Sequence, residues 1–297
     1  MNYENEIKNM KQYTYKWNPE NYDKPNEPIL KVSKSSLGSF DWCPKKYEFN
    51  YIQRLPQDTT EAMLKGTVLH NHREDFFNVF DIKKANTMSE HEILEYCTSL
   101  MPIDDYYDIS LTVAAFEAQR FIDARKENKV HEYLPAVNEG MFDAEITVEA
   151  NWNEKFPLSR DYIIHIQGII DRIFVEDNKI ILFEYKTGGW KDYKATSMRK
   201  EMAFYQLLLE SASDVVLEKY GLNRDMEVTH WGWYYPVSNH VQVEPIKKRS
   251  MTSVKNNLAR LIHAYEQDHF STKYFYKTCA HCSYFGICDG NMESWIA

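Results

Sequence analysis

Two carboxylates and a lysine occur at a spacing that could hold a metal ion and activate water. Asp171 interrupts one apolar run, and Glu184-x-Lys186 follows 13 residues later at the end of another. A carboxylate inside such a run is costly unless it is paired or bound to a metal. Oxygen ligands beside a lysine suit a hard divalent cation with a positioned water. The alternative is that all three charges lie on the solvent face of a half-exposed sheet.

Both segments fall in predicted strands that a hairpin joins. Residues 161–175 and 179–187 are rich in β-branched and aromatic residues, and Asp177-Asn178 between them suits a tight turn. Side chains two positions apart in a strand point to the same face, so the glutamate and the lysine share a face. The hairpin would place the aspartate beside them.

Further strands and helices are predicted around this hairpin. Alternation of apolar and polar residues indicates strands over 141–150, 228–237 and 240–246, and helical periodicity indicates helices over 197–212 and 252–270. The order is helices, three strands, a helix, two strands and a helix. It predicts an α/β fold with a mixed central sheet flanked by helices.

The N-terminal part of the chain lacks the strand pattern. Residues 1–32 show no periodicity and are predicted to form a flexible arm, while 33–297 are predicted to form one domain. A first helix is expected to begin with Ser35 or Ser36 as its cap. Residues from about 71 to 135 have a helical texture and are predicted to be a helical insertion.

Composition excludes several classes of protein. The chain has 35 basic and 44 acidic residues, a formal charge of −9, which argues against coating nucleic acid through bulk positive charge. Its sequence has no apolar run long enough to span a membrane, and its first residues lack the apolar core of a signal peptide. We therefore expect a cytoplasmic protein with no membrane partner.

Four of the five cysteines could bind a metal or a cluster. Cys279, Cys282 and Cys288 form a C-x2-C-x5-C pattern, and Cys43 could supply a fourth thiolate from the first helix. Cys97 stands alone in a predicted helix and is interpreted as a small buried apolar residue. Four thiolates suit either zinc or an iron–sulfur cluster, so chemistry alone leaves the two open.

Three segments resemble a known nuclease family. GIIDRIFV and ILFEYKTG closely resemble the RecB-like branch of the PD-(D/E)XK nuclease superfamily, where a Gly-x-x-Asp strand precedes a Glu-x-Lys-Thr-Gly strand. LKGTVLHNHRED resembles the upstream Gly-Thr-x-x-His motif, which selects His70 over His72. The resemblance covers roughly residues 33–290. It implies a restriction-endonuclease-like fold and metal-dependent hydrolysis of phosphodiester bonds in DNA.

The resemblance also implies a role for each motif residue. His70, Asp171, Glu184 and the backbone carbonyl of Tyr185 would hold Mg²⁺ or Mn²⁺. Lys186 would orient the attacking water or help to deprotonate it.

One motif of the branch is incomplete. Members carry a Gln-x-x-x-Tyr motif on the helix after the catalytic lysine; here Gln206 matches its first position, but Glu210 stands where the tyrosine is expected. Gln206 is assigned to positioning the substrate or the lysine, and Tyr205 is a candidate substitute for the missing tyrosine. Glu145 on the preceding strand could be an outer carboxylate or a surface residue.

The cysteine layout is similar to that of the iron–sulfur members of this branch, which include the CRISPR-associated spacer-acquisition exonuclease and the AddB nuclease domain. The similarity implies a 4Fe–4S cluster that joins the N-terminal and C-terminal segments. Its ligands would be Cys43, Cys279, Cys282 and Cys288.

Bases and aromatic residues follow the catalytic strand. Such a mixture suits contact with the backbone and bases of single-stranded DNA, and the alternative for each residue is a solvated charged loop. The predicted DNA-contacting residues are Trp190, Lys191, Tyr193, Lys194, Arg199 and Lys200.

The sequence therefore predicts a metal-dependent DNA nuclease with a structural 4Fe–4S cluster, acting as an exonuclease on single strands or DNA ends. The resemblance implies DNA as partner, with recombination, replication or CRISPR-adaptation proteins beside it, and the chain could serve a phage. One alternative is a non-catalytic iron–sulfur module that binds DNA ends or a helicase. Another is a structural protein stabilised by zinc.

Overall fold

A computed structural model describes residues 30–57, 60–273, 275 and 279–288 of the chain. In these residues one mixed sheet contains the strands β1 (Lys31–Ser33), β2 (Val137–Val148), β3 (Tyr162–Glu176), β4 (Lys179–Tyr185), β5 (Glu227–Tyr235) and β6 (His240–Pro245). The α-helices are α1 (Lys34–Trp42), α2 (Pro44–Tyr47), α3 (Glu61–Val79), α4 (Ile82–Ala85), α5 (Glu90–Ser99), α6 (Tyr107–Lys126), α7 (Lys194–Ser211), α8 (Asp214–Lys219) and α9 (Lys248–Glu266). Of the helices described, none combines the length and apolar character needed to cross a membrane.

The long strand β3 organises the sheet, and one of its edges is divided between two partners. β2 pairs antiparallel with residues 162–173 of β3. On the other edge, β1 pairs parallel with residues 165–167, and β4 pairs antiparallel with residues 172–176. The C-terminal ends of β1 and β4 therefore point toward each other across a gap on the edge of β3, at residues 168–171.

The hairpin between β3 and β4 forms as the sequence predicts. Glu176 pairs with Lys179, and the two residues between them, Asp177 and Asn178, have φ angles of 48° and 62°. Two left-handed residues match the right-handed twist of the flanking strands. β5 continues the sheet parallel to β4, and β6 follows antiparallel to β5.

Helices cover both faces of the sheet, as expected for a mixed α/β fold. Leu182 of β4 lies in one core with residues of α1, α7 and α9. Its neighbour Phe183 points to the other face and packs in a second core with α3, α5 and α6. Within the segment of about 71–135 that was predicted to be a helical insertion, the end of α3 and helices α4 to α6 supply that second core.

The start of the domain differs from the prediction. Residues 1–29 of the predicted arm lie outside the described residues, but Leu30 and Val32 are buried, at 1% and 0% exposure, and do not belong to a flexible arm. A strand of three residues is too short to show periodicity, which is why β1 was not predicted. Ser33 caps α1 through a reciprocal capping box with Ser36, in place of the expected Ser35 or Ser36 cap.

The N-terminal and C-terminal segments of the domain meet. Tyr284 is buried, its ring lies 5.4 Å from that of Phe49, and its hydroxyl donates to the carbonyl oxygen of Leu55 at 3.2 Å. Gln57 donates to Ser283 in the same region. Contacts between side chains thus join the two segments.

Candidate functional site

The gap on the edge of β3 is where the predicted site residues assemble. Asp171 lies on β3 within the gap, and Glu184 and Lys186 reach it from the end of β4. Lys34, the first residue after β1, enters from the opposite side, and His70 enters from α3. All five line one cavity of about 410 Å³.

Asp171 is buried and held from two directions. One carboxylate oxygen, Oδ2, accepts a hydrogen bond from the backbone N–H of Tyr185 at 3.0 Å, and the other, Oδ1, lies 3.1 Å from Nε2 of His70. Burial would raise the pKa of this carboxyl. The bond to His70, the charge of Arg73 and the tyrosine N–H outweigh burial and hold the pKa well below its usual range.

His70 lies between two carboxylates. Its Nδ1 is 2.5 Å from Oε1 of Glu139, and its Nε2 contacts Asp171. Burial disfavours the charged ring, but hydrogen bonds with both carboxylates overcome this and raise the pKa of His70 to about 9. His72, by contrast, contacts Ser110 and does not line the cavity.

Two lysines and two glutamates form a charged quartet on the α7 side of the cavity. Nζ of Lys186 lies 2.7 Å from both Glu184 and Glu201, and Nζ of Lys34 lies 3.1 and 3.3 Å from the same two carboxylates. Burial opposes the charge on each lysine, but the carboxylates prevail and raise both pKa values. Both lysines are thus cationic in this arrangement.

The residue of α7 that contacts Lys186 is Glu201. Gln206 donates instead to Glu210 at 2.7 Å and does not line the cavity, so the structure does not bring it to the site. Tyr205 does line the cavity. Glu201-x-x-x-Tyr205 has the spacing of the predicted Gln-x-x-x-Tyr motif, with glutamate in the first position, and begins five residues before Gln206.

The side chain of Tyr185 anchors β4 to helix α6. Its hydroxyl donates to Glu117 of α6 at 2.5 Å, and Arg120 donates to the same buried carboxylate at 2.6 Å. Burial and the glutamate charge raise the pKa of Tyr185 well above its usual value, which keeps it a neutral donor. Tyr185 is therefore held at two points, because its backbone N–H donates to Asp171 and its hydroxyl donates to Glu117.

The donor atoms at the cavity are of the kind that bind a divalent cation. Oε2 of Glu184 is buried without a hydrogen-bond partner, while Oε1 accepts from both lysines. A buried anionic oxygen without a donor is costly, and hard cations prefer such ligands. As their side chains stand, no three His, Cys, Asp or Glu residues of the described chain are grouped to hold a metal. A cation at Glu184 would compete with the two ammonium groups.

Comparison with known proteins identifies the family. Residues 31–289 match the family model described as the PD-(D/E)XK nuclease superfamily. The chain belongs to this superfamily. It is also similar to a solved structure described as "Crystal structure of SSO0001", with 15% sequence identity and a TM-score of 0.40, over 88% of this chain and 87% of that one. No curated protein matches the sequence.

The PD-(D/E)XK assignment agrees with the geometry around the hairpin. Superfamily membership supports metal-dependent nuclease activity, and Asp171, Glu184 and Lys186 converge in one cavity as their spacing predicts. The match identifies the superfamily, while the RecB-like iron–sulfur branch stays a prediction.

The four predicted cluster cysteines of this PD-(D/E)XK protein line a single small cavity. Cys43 lies between α1 and α2, and the other three come from the C-terminal segment. Cys97 is fully buried in α5, apart from them, and burial raises its thiol pKa to about 12. The four thiols share a cavity, although they are not grouped at metal-ligand spacing in the described residues.

Most of the predicted DNA-contacting residues make contacts within the protein. The ring of Trp190 stacks on His240, Lys194 donates to a backbone carbonyl, Arg199 pairs with Glu244, and Lys200 pairs with Asp41. The two exposed members of the predicted set are Lys191 and Tyr193.

Three residues of the site were not predicted from the sequence. Lys34 lies 150 positions from Glu184, with no motif to link them. Glu139 precedes a glycine on β2 and carries no signal of its own, whereas Glu145 on the same strand is exposed. Glu201 did carry a signal, because it stands four residues before Tyr205 and so on the same face of a helix.

We predict that Tyr185→Phe destabilises the fold. Removing the hydroxyl takes one buried hydrogen bond from Glu117, which should lower the free energy of unfolding by about 1–3 kcal/mol. Urea unfolding measures this directly. Tyr193→Phe is the matched control, because its ring is 74% exposed, and it should change stability by no more than about 0.5 kcal/mol. Equal stability of the two variants would contradict the anchoring role.

Proposed function

We propose that the chain is a divalent-metal-dependent DNA nuclease of the RecB-like, iron–sulfur branch, acting as an exonuclease on single strands or DNA ends. The observation that carries the proposal is the gap on the edge of β3. It brings the Asp171, Glu184 and Lys186 of the sequence motifs into one cavity with His70.

The metal would be held by His70, Asp171, Glu184 and the backbone carbonyl of Tyr185. A bound Mg²⁺ or Mn²⁺ supplies charge neutralisation at the phosphate and lowers the pKa of water. The partnerless Oε2 of Glu184 supports this ligand set. The Tyr185 N–H keeps the Asp171 carboxylate at the cavity by holding its other oxygen.

Lys186 would orient the attacking water and stabilise the negative charge that develops on the phosphate. Its ammonium group is held between two carboxylates at 2.7 Å, which fixes its position before substrate arrives. Lys34 shares the same carboxylates from the other side of the gap and limits their movement. Glu201 thus takes the positioning role that the sequence assigned to Gln206.

The substrate is proposed to be DNA, with a single strand or an end entering the cavity. Exposed Lys191 and Tyr193 follow the catalytic strand and are suited to contact a phosphate and a base. The other four residues of the predicted set are engaged within the protein and would support this segment rather than bind DNA themselves.

A 4Fe–4S cluster is proposed at Cys43, Cys279, Cys282 and Cys288. The convergence of these four thiols on one cavity supports it, as does the contact of Tyr284 with Phe49 nearby. The cluster would reinforce a junction that side chains already make, so its role would be structural.

We predict that Asp171→Ala, Glu184→Ala and Lys186→Ala each lower the rate of DNA cleavage by at least about 100-fold. Each variant removes either a metal ligand or the group that orients water. The measurement uses end-labelled single-stranded and duplex DNA with Mn²⁺, Mg²⁺ or EDTA.

Matched controls for these variants lie in the same sheet. Glu145→Ala on β2 and Lys179→Ala on β4 remove exposed charges and should leave cleavage unchanged. The proposal fails if the wild-type chain cleaves neither substrate with either metal. The site assignment fails if Lys186→Ala keeps a rate near that of wild type.

We predict that Cys43→Ser and Cys282→Ser both lose iron and thermal stability, while Cys97→Ser keeps its iron. The first two remove proposed ligands from one shared cavity, and Cys97 has no such neighbours. Iron and zinc content after anaerobic purification, with the visible spectrum, is the measurement. Zinc without iron in the wild-type protein would overturn the cluster. Full iron in Cys43→Ser with loss in Cys97→Ser would overturn the ligand set.

A further inference from the structure

Glu139 is buried inside the sheet in an unusual backbone conformation. Its exposure is 6%, and its φ is 58°, in the left-handed region. The other non-glycine residues with positive φ in the described chain lie at turns or at the ends of elements, whereas Glu139 lies within strand β2. Both burial of a carboxylate and left-handed backbone cost free energy, and such costs concentrate at functional sites.

The glycine after Glu139 is closely packed. A Cβ atom at Gly140 would clash with Cγ1 of Val137 and with the ring of Phe142, so a larger residue there would displace these two side chains. The ladder between β2 and β3 pairs Asn138 and Gly140 but skips the residue between them. Glu139 is therefore turned out of the regular strand pattern at the register position opposite Asp171.

The conformation directs the carboxylate at His70. Oε1 of Glu139 lies 2.5 Å from Nδ1 of His70, while the nearest nitrogen of Arg172 is 3.8 Å away. The second ring nitrogen, Nε2, faces Asp171 at 3.1 Å. The imidazole is thus held between carboxylates of two adjacent strands, with Glu139 making the closer contact.

We infer that Glu139 is a positioning residue that sets the orientation and tautomer of His70. Both ring nitrogens face a carboxylate, and with a cation in place of the Nε2 proton, Glu139 would keep the proton on Nδ1 and leave the Nε2 lone pair directed at the cavity. A carboxylate on the far nitrogen of a ligating histidine fixes the ring and raises its basicity. This inference rests on the proposed function, which makes His70 a metal ligand.

The test measures Mn²⁺ binding to the full chain without DNA, from the electron paramagnetic resonance signal of free Mn²⁺. Glu139→Gln should weaken binding by about 10- to 100-fold. Glu145→Gln, an exposed carboxylate of the same strand, should leave binding within about twofold. In the His70→Ala background, Glu139→Gln should have no further effect, because the two residues act as one unit.

A second variant separates positioning from simple charge balance with Arg172. Glu139→Asp keeps the negative charge but withdraws the carboxylate from Nδ1, so it should weaken Mn²⁺ binding as Glu139→Gln does. If Glu139→Gln does not fold, the effect on Mn²⁺ binding is measured with Glu139→Asp instead.

Three results would overturn the inference. They are wild-type affinity in Glu139→Gln, wild-type affinity in Glu139→Asp, and an equal loss from Glu139→Gln with or without His70. Each leaves the proposed function standing if the wild-type protein still binds Mn²⁺ and cleaves DNA. A wild-type chain that neither binds Mn²⁺ nor cleaves DNA removes the proposed function, and the inference with it.

Discussion

The open stretch of β3 is the constraint on which the rest of the site depends. β1 and β4 cover the same edge of this strand but stop short of each other, so residues 168–171 have no strand neighbour there. The Tyr185 N–H, the last of β4, turns to the carboxylate of Asp171. A buried carboxylate needs such donors. Asp171 therefore depends on the gap, where the backbone N–H of Tyr185 donates to its side chain. The gap in β3 also leaves room for side chains from α3, α7 and the start of α1.

Charge around the cavity is divided into two groups of paired side chains. Asp171 and Glu139 share His70, while Glu184 and Glu201 share two lysines. Each group offsets the cost of burying its own carboxylates. The ion pairs keep these carboxylates close together in the folded chain, and Oε2 of Glu184 has no hydrogen-bond partner. These ion pairs fix the positions of the four carboxylates before any ligand binds.

The sequence predicted those parts of the site that depend on local pattern. Asp177-Asn178 defines the hairpin, and the parity of Glu184 and Lys186 places them on one face. Lys34 and Glu139 could not be predicted, because one depends on a three-residue strand and the other on a local backbone conformation. Gln206 is a different case: the helix was predicted correctly, but Glu201, five positions earlier, contacts Lys186, and Tyr205 lines the cavity.

The most direct test of the central claim is anomalous diffraction from crystals of the chain soaked in Mn²⁺. The account predicts an anomalous peak in the cavity, at bonding distance from Asp171 and Glu184 and from Nε2 of His70, with Lys34 or Lys186 displaced from Glu184. A peak elsewhere, or none in a crystal in which these side chains are clearly resolved, would contradict the claim that the gap in β3 forms a metal-dependent nuclease site.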